Sequence, residues 1–153
     1  MKQLSLNLKN ILVTGVIVNV ASILFPLISY FSFKQIFLYD LVGIWKWKPG
    51  NALFSMPGEW ITITMLGNFI MALVFVIVYA VLHKAVPGVR FQKGLWFGFL
   101  MWLIGVLIPV FSMYVLLNIS NTVLWFLLIQ GLAEYLLYGL ICSTFYRERQ
   151  PPV

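Results

Sequence analysis

Two apolar segments decide the fold of this chain: residues 94–117, GLWFGFLMWLIGVLIPVFSMYVLL, and residues 122–146, TVLWFLLIQGLAEYLLYGLICSTFY. Each is long enough to cross the roughly 30 Å hydrocarbon core of a bilayer, which takes about 20 helical residues. Only the four residues 118–121, Asn-Ile-Ser-Asn, connect them. A link this short predicts that the two helices turn back on each other as an antiparallel hairpin.

Two further segments of the same kind precede the hairpin: residues 11–31, ILVTGVIVNVASILFPLISYF, and residues 60–82, WITITMLGNFIMALVFVIVYAVL. The sequence therefore predicts an all-α fold, a polytopic membrane protein that forms a bundle of four transmembrane helices. The whole chain, 1–153, is expected to be one membrane domain with an outer loop, 32–59, and a cytoplasmic loop, 83–93. No signal peptide is expected, because the first apolar segment exceeds the usual length of about 7 to 15 residues.

The composition agrees with a chain that lipid covers. Hydrophobic residues make up 62% of the sequence and charged residues 9%, whereas a soluble domain carries about 25% charged residues. The single cysteine, Cys142, excludes an intramolecular disulfide and a cysteine metal cluster. The net charge of +6 is spread in ones and twos beside the apolar segments, which is typical of contacts with lipid headgroups and does not favour nucleic acid as a partner.

The distribution of lysine and arginine predicts the orientation, since cytoplasmic loops are enriched in both. With both termini in the cytoplasm, seven such residues lie inside: Lys2, Lys9, Lys84, Arg90, Lys93, Arg147 and Arg149. Three lie outside: Lys34, Lys46 and Lys48. We therefore expect a multi-pass protein of the cell (inner) membrane, with anionic lipid contacting Lys84, Arg90, Lys93, Arg147 and Arg149.

The outer loop is rich in aromatic residues interleaved with lysines. This pattern favours a segment that lies on the membrane surface, partly helical over residues 33–44. The alternative interpretation is a lid or docking surface over the bundle.

Residues for catalysis are few. The chain has one histidine, His83, and four acids, Asp40, Glu59, Glu134 and Glu148, so it lacks the ligands of a two-histidine zinc motif or a di-iron carboxylate site. Nucleophile-elbow, phosphate-loop and dinucleotide-binding patterns are absent from the sequence. We expect no enzyme activity, no cofactor and no metal. A lipid enzyme would have to use His83 or Glu59, which lie on opposite sides of the membrane.

Glu134 is the exception in an otherwise apolar segment. It lies twelve residues into the fourth helix, about 18 Å from its outer end and so near the bilayer midplane. A charge at that depth costs about 2.5 to 3.5 kcal/mol on insertion scales, so Glu134 is expected to face the protein interior.

Other polar residues fall near the same depth. Gln130, Glu134 and Tyr138 share one helix face, because they follow each other at intervals of four. Asn68 is expected at the depth of Gln130, and Asn19 at the depth of Glu134. The sequence thus predicts a possible intramembrane polar cluster of Asn19, Asn68, Gln130, Glu134 and Tyr138. Such a cluster either holds helices together or marks a route for protons, ions or a small solute.

Glycines are spaced for close helix packing. Gly94, Gly98 and Gly105 recur along one side of the third helix, and Gly131 and Gly139 along one side of the fourth. Small residues allow helix backbones to approach each other in membranes. The expected use is to close the last hairpin, and the alternative is a homodimer.

The stretch LHKAVPGVRFQKGLWFGFLMWLIGVLIP, residues 82–109, combines a basic Pro-Gly turn with a KG-x-x-FG helix start. In this respect the chain resembles small uncharacterised bacterial four-helix membrane proteins. The matching residues are Pro87, Gly88, Lys93, Gly94, Phe97 and Gly98. The resemblance implies the same fold and a bacterial inner membrane, and it implies no activity.

Three functions remain open on the sequence alone. The first is a non-enzymatic membrane protein that acts through helix packing, as a homo-oligomer or with a membrane partner subunit. The second is a small transporter or channel that uses Glu134 as a protonatable site. The third is a membrane enzyme that acts on lipid.

Overall fold

A computed structural model of the chain describes residues 7–33, 58–117 and 119–146. The elements in this part of the chain are all helical: α1 (Leu8–Ser32), α2 (Gly58–Leu82), α3 (Arg90–Trp102), α4 (Ile108–Leu116) and α5 (Asn121–Phe145). A π-helical segment, Leu103–Leu107, joins α3 to α4 without a break. Four helices are long and apolar enough to cross a membrane, with α3, the π-helical segment and α4 together forming the third. The predicted all-α membrane bundle of four helices is confirmed.

The third helix begins earlier than predicted. Hydropathy placed its start at Gly94, whereas α3 begins at Arg90, directly after the turn in which Gly88 has a φ of 100°. That φ lies in the left-handed region, which glycine enters without steric penalty. The first turn of α3 is polar because it stands at the membrane surface, so hydropathy alone misses it. The outer-loop interpretations, including a helix over residues 33–44, lie outside the described residues.

Pro109 accounts for the π-helical segment. Proline has no backbone N–H, so the carbonyl of Gly105, four residues earlier, loses its usual helical donor. The ladder then shifts locally to wider hydrogen bonds over Leu103–Leu107. The third transmembrane helix is therefore continuous in path but not in helical geometry.

Helix α5 is the centre of the bundle. It packs most extensively against α3, then against α1, while α1 also packs along α2. Aromatic rings connect α2 to α3: the Phe97 ring lies 5.1 Å from that of Phe75 and 5.0 Å from that of Tyr79. The starts of α1 and α3 and the ends of α2 and α5 meet at one end of the bundle, named here the Arg90 end.

Packing is tighter toward the Arg90 end than toward the opposite end. Val76, Phe97 and Cys142 are almost fully buried there. On the opposite side, the described residues 62–67 of α2 and 111–117 of α4 are all exposed on the isolated chain. These parts of α2 and α4, away from the Arg90 end and named here the outer halves, are surfaces that lipid, or another protein, covers.

Candidate functional site

Glu134 and Tyr138 form the only direct contact within the predicted polar cluster, as far as the described residues show. They stand one turn apart on α5, and the Tyr138 hydroxyl donates a hydrogen bond to Oε1 of Glu134. Tyr138 is buried and Glu134 is half-buried. Because both residues belong to α5, this hydrogen bond orients the carboxylate without joining two helices.

Glu134 faces the junction of α1, α2 and α5. The Ser22 side chain of α1 lies beside the Tyr138 hydroxyl. From α2, the Phe75 ring lies 5.7 Å from the rings of both Tyr135 and Tyr138. The carboxylate is therefore half-buried and bonded to a tyrosine that itself packs against α1 and α2, which reduces the cost of a carboxylate at this depth.

Helix α1 offers a free backbone acceptor at this level. It continues through Pro26 to Ser32, and in a regular helix the Ser22 carbonyl would accept from the N–H of residue 26. Proline has no N–H, so that carbonyl lacks its helical donor. In membranes, freed carbonyls are tolerated where they line a cavity or find a polar neighbour. Here the neighbours are Tyr138 and, through it, Glu134.

Three more buried side-chain oxygens have no hydrogen-bond partner within the described part of the chain. They are Oγ1 of Thr14, Oδ1 of Asn19 and Oε1 of Gln130, and the Thr14 residue is 0% exposed. A buried polar atom without a partner costs about 1 to 3 kcal/mol. Buried water commonly supplies the missing hydrogen bonds in protein interiors. Helices α1 and α5 thus each carry buried acceptors that the described residues leave unsatisfied.

Within the described residues, no hydrogen bond joins Asn68 to the other members of the predicted cluster. It is half-buried on α2. Phe75 meets Tyr138 across the α2–α5 contact, and the two helices run in the same direction there. Asn68 precedes Phe75 by seven residues, and Gly131 precedes Tyr138 by seven. Asn68 therefore lies at about the level of Gly131 and its neighbour Gln130. The polar cluster as a whole remains a prediction, of which the structure brings Glu134 and Tyr138 into contact.

The predicted glycines all lie in the α3–α5 hairpin interface. A Cβ added to Gly94 would stand 2.7 Å from the Gly139 carbonyl oxygen, and one added to Gly139 would stand 2.9 Å from the Gly98 nitrogen. A Cβ on Gly98 would overlap the carbonyl oxygen of Tyr135. Further along, Gly105 packs under the Tyr135 ring and Gly131 against Val106. These surfaces are engaged within the chain.

The sequence analysis missed several contributors to the interior. Trp102 of α3 donates its indole N–H to the Leu128 carbonyl of α5 at 3.1 Å, a hydrogen bond between helices. Thr14 and Ser22 were also missed. A signal for Ser22 was present, since a serine four residues before a proline in a membrane helix has a carbonyl without its helical donor.

The basic residues gather at the Arg90 end. Arg90 donates from Nη2 to the Thr144 carbonyl oxygen at 3.4 Å, which places a cation at the C-terminal end of α5, where the helix dipole favours it. Lys84 is exposed and Lys93 is half-buried, while Arg147 and Arg149 lie outside the described residues. His83 lies between the rings of Tyr79 and Tyr146, at 5.9 and 5.7 Å, and its Nδ1 is 2.8 Å from the Ala80 carbonyl oxygen.

No group of three or more histidine, cysteine, aspartate or glutamate residues that could hold a metal occurs in the described part of the chain. Comparison of the chain with models of known protein families, with curated proteins and with solved structures finds no match.

Proposed function

We propose that this chain is a small, non-enzymatic transporter or channel for protons, ions or a small solute, with Glu134 as its protonatable site. We place it in the bacterial inner membrane with both termini in the cytoplasm. The distribution of lysine and arginine supports this orientation. The resemblance of residues 82–109 to small bacterial four-helix membrane proteins supports the location in a bacterial inner membrane. In this orientation Lys84, Arg90 and Lys93 meet the anionic headgroups of the inner leaflet.

The observation that carries the proposal is the set of buried side-chain oxygens on α1 and α5 that have no hydrogen-bond partner among the described residues. A cluster that only held helices together would make hydrogen bonds between them, each worth about 0.6 kcal/mol on average in membranes. Asn19 and Gln130 instead keep buried side-chain oxygens without a partner. Polar groups that contribute no interhelical bond and still occupy the interior favour a role in binding water, a proton or a solute.

Glu134 supplies the chemistry that such a role needs. Among the described residues, it is the only acidic residue within the four candidate membrane spans. Tyr138 donates to one carboxylate oxygen, which leaves the other oxygen available to a proton or a ligand. A carboxylate held in this way releases and takes up a proton without moving a helix.

The test is proton flux into proteoliposomes that contain the purified protein and a pH-sensitive dye, driven by a potassium diffusion potential. Glu134→Gln keeps the size and most of the hydrogen bonding of the side chain but does not titrate, so its flux should fall to that of protein-free liposomes. Glu148→Gln, which removes a carboxylate after the fourth helix, should keep the flux of the unaltered chain. Equal flux through the unaltered chain and Glu134→Gln contradicts the proposal.

A second function, association with itself or with a membrane partner subunit, is favoured by the exposed outer halves of α2 and α4. Residues 62–67 and 111–117 expose all of their side chains, so none of the described helices covers them. The five glycines are already engaged in the hairpin, so an assembly would use other surfaces. Native mass spectrometry from mild detergent tests this: a fixed oligomer or a specific second chain supports it, and a monomer alone contradicts it.

A further inference from the structure

We infer that the groove between α4 and α5 binds one acyl chain of a phospholipid from the membrane leaflet opposite the Arg90 end, with the ester groups of that lipid at Tyr114 and Asn121. The groove lies apart from the proposed proton site. Leu128, its residue nearest to Glu134 along α5, is six residues and about 9 Å from it. The inference therefore goes beyond the proposed function and is tested separately from it.

The groove exists because α4 packs against α5 far less extensively than α3 does. Along α3, glycines bring the two backbones together, so that a Cβ added to Gly98 would lie 2.9 Å from the Cα of Leu136. Helix α4 contains no glycine, and its side chains hold the two helices apart. The space left between them is about 320 Å³, which falls within the range of roughly 300 to 1,000 Å³ that is usual for small-molecule sites.

The groove changes in polarity along its length. The part nearer the bilayer midplane is lined by aliphatic side chains: Leu107, Val110, Leu124 and Leu128. The part at the membrane surface is lined by Tyr114 and Asn121. On each helix the lining residues span seven positions, or about 10 Å, which is two thirds of the roughly 15 Å of hydrocarbon in one leaflet. An apolar interior with a polar mouth at headgroup depth matches a lipid that enters with its acyl chain toward the midplane.

The charge and hydrogen bonding of the lining favour a neutral chain over an ion or a polar solute. None of the lining residues is charged, and the buried oxygens without a partner lie on other residues. The side-chain polar atoms of Tyr114 and Asn121 make no hydrogen bond within the described part of the chain. Both can therefore donate to the ester carbonyl oxygens of a phospholipid.

The size and position of the groove favour an acyl chain over a helix of a second protein. A helix with its side chains is about 10 to 12 Å across, so 10 Å of its length occupies roughly 800 Å³, more than twice the volume of the groove. The groove is also continuous with the exposed, lipid-facing outer half of α4: the Phe111 and Trp125 rings line it and are each 65% exposed.

The expected preference for the groove over other lipid-facing surfaces is modest. Lipid tails are as apolar as leucine, so burial of apolar surface gives a bound chain little advantage over the surrounding lipid. The preference comes from closer packing between two helices and from hydrogen bonds at the mouth. An enrichment of about tenfold, or about 1.4 kcal/mol, is expected.

The first experiment uses the unaltered chain and so does not depend on the folding of a variant. The protein is placed in vesicles of phosphatidylethanolamine and phosphatidylglycerol with a trace of phosphatidylcholine that carries a diazirine midway along one acyl chain. After irradiation, labelled peptides are mapped by mass spectrometry. Residues 107–114 and 121–128 should be labelled about tenfold more than residues 62–67, which are exposed in the same leaflet. Equal labelling of the three segments means surrounding lipid only and overturns the inference.

The second experiment fills the groove and counts bound lipid by native mass spectrometry from mild detergent. Leu107 lines the groove, whereas its neighbour Ile108 does not line it and is 59% exposed. The unaltered chain and Ile108→Trp should each retain one phospholipid, and Leu107→Trp should lose it. A detergent molecule or a second protein chain in place of the phospholipid, or equal retention in both variants, overturns the inference.

A third measurement tests the mouth of the groove without filling its interior. Asn121→Leu removes a polar side chain at headgroup depth, so the diazirine labelling of residues 107–114 should fall toward that of residues 62–67. Thr122→Leu is the matched control, because Thr122 is exposed and does not line the groove. Undiminished labelling in Asn121→Leu overturns the placement of the lipid ester groups.

Discussion

The two sides of α5 pack against their neighbouring helices in different ways. On the side of α3, glycines bring two backbones into contact, and Trp102 adds a hydrogen bond between the helices. On the side of α1, oxygens on both helices lie buried without partners among the described residues, and a proline frees a further carbonyl. The α3 interface is held by close backbone packing and one hydrogen bond, whereas the α1 side keeps buried polar groups at the expense of stability. The difference separates the part of the molecule that holds the fold from the part available for function.

The same contrast is expected in the response to mutation. Substitutions on the α3 side should change the free energy of unfolding, whereas substitutions on the α1 side should change it little. The following predictions test this expectation from the largest effect on stability to the smallest.

Gly139→Ala should have the largest effect. The added methyl group would meet backbone atoms of Gly94 and Gly98, which cannot move aside as a flexible side chain does. Overpacking of this kind costs about 2 kcal/mol. Reversible unfolding in mixed micelles measures the loss. Gly67→Ala is the matched control, since nothing lies within 4 Å of a Cβ there, and an equal loss in both variants would contradict the role of the close contact.

Trp102→Phe should destabilise the hairpin by about 1 kcal/mol, through the lost indole hydrogen bond to Leu128 and part of the ring contact. The same unfolding assay measures it. Trp125→Phe is the control, because Trp125 is 65% exposed on the isolated chain and faces lipid. If the two variants are equally stable, the hydrogen bond between α3 and α5 contributes nothing.

Tyr138→Phe should cost about 0.6 kcal/mol, the average for a hydrogen bond in a membrane protein, because the hydroxyl that donates to Glu134 and lies beside Ser22 is removed while the ring stays. Its larger effect should be on function: proton flux should fall, since the carboxylate loses the group that orients it. Tyr114→Phe on the exposed face of α4 should alter neither quantity. Unchanged flux in Tyr138→Phe would separate Tyr138 from the site.

Thr14→Val should leave the free energy of unfolding within about 0.5 kcal/mol, because the hydroxyl has no protein partner to lose. Thr64→Val, on the exposed surface of α2, is the matched control and should also leave the free energy of unfolding unchanged. Reversible unfolding in mixed micelles measures both variants. A large loss of stability in Thr14→Val would place Thr14 among the residues that hold the fold.

The fold and the glycine contacts could be predicted from the sequence, because both depend on a local pattern of residues. Apolar length predicts a membrane helix regardless of its neighbours, and a linker of four residues requires antiparallel packing. The satisfaction of polar groups depends instead on helix rotation. The sequence predicted Asn19 and Gln130 as members of an interior cluster, but only the packed helices show that one oxygen of each is buried without a partner among the described residues. The start of α3 was misplaced for a related reason, since its first turn is polar and hydropathy does not register it.

The π-helical segment has a consequence for helical-wheel analysis of the third crossing. Val110 follows Gly94 by sixteen residues, so an uninterrupted helix at 100° per residue would place the two about 160° apart around the axis. One residue absorbed by the wider turn reduces this angle to about 60°. Gly94 contacts Gly139, and Val110 lines a groove with Leu124 and Leu128, so both do face α5. A wheel drawn through Leu103–Leu107 without that offset would assign the buried face of α4 to lipid.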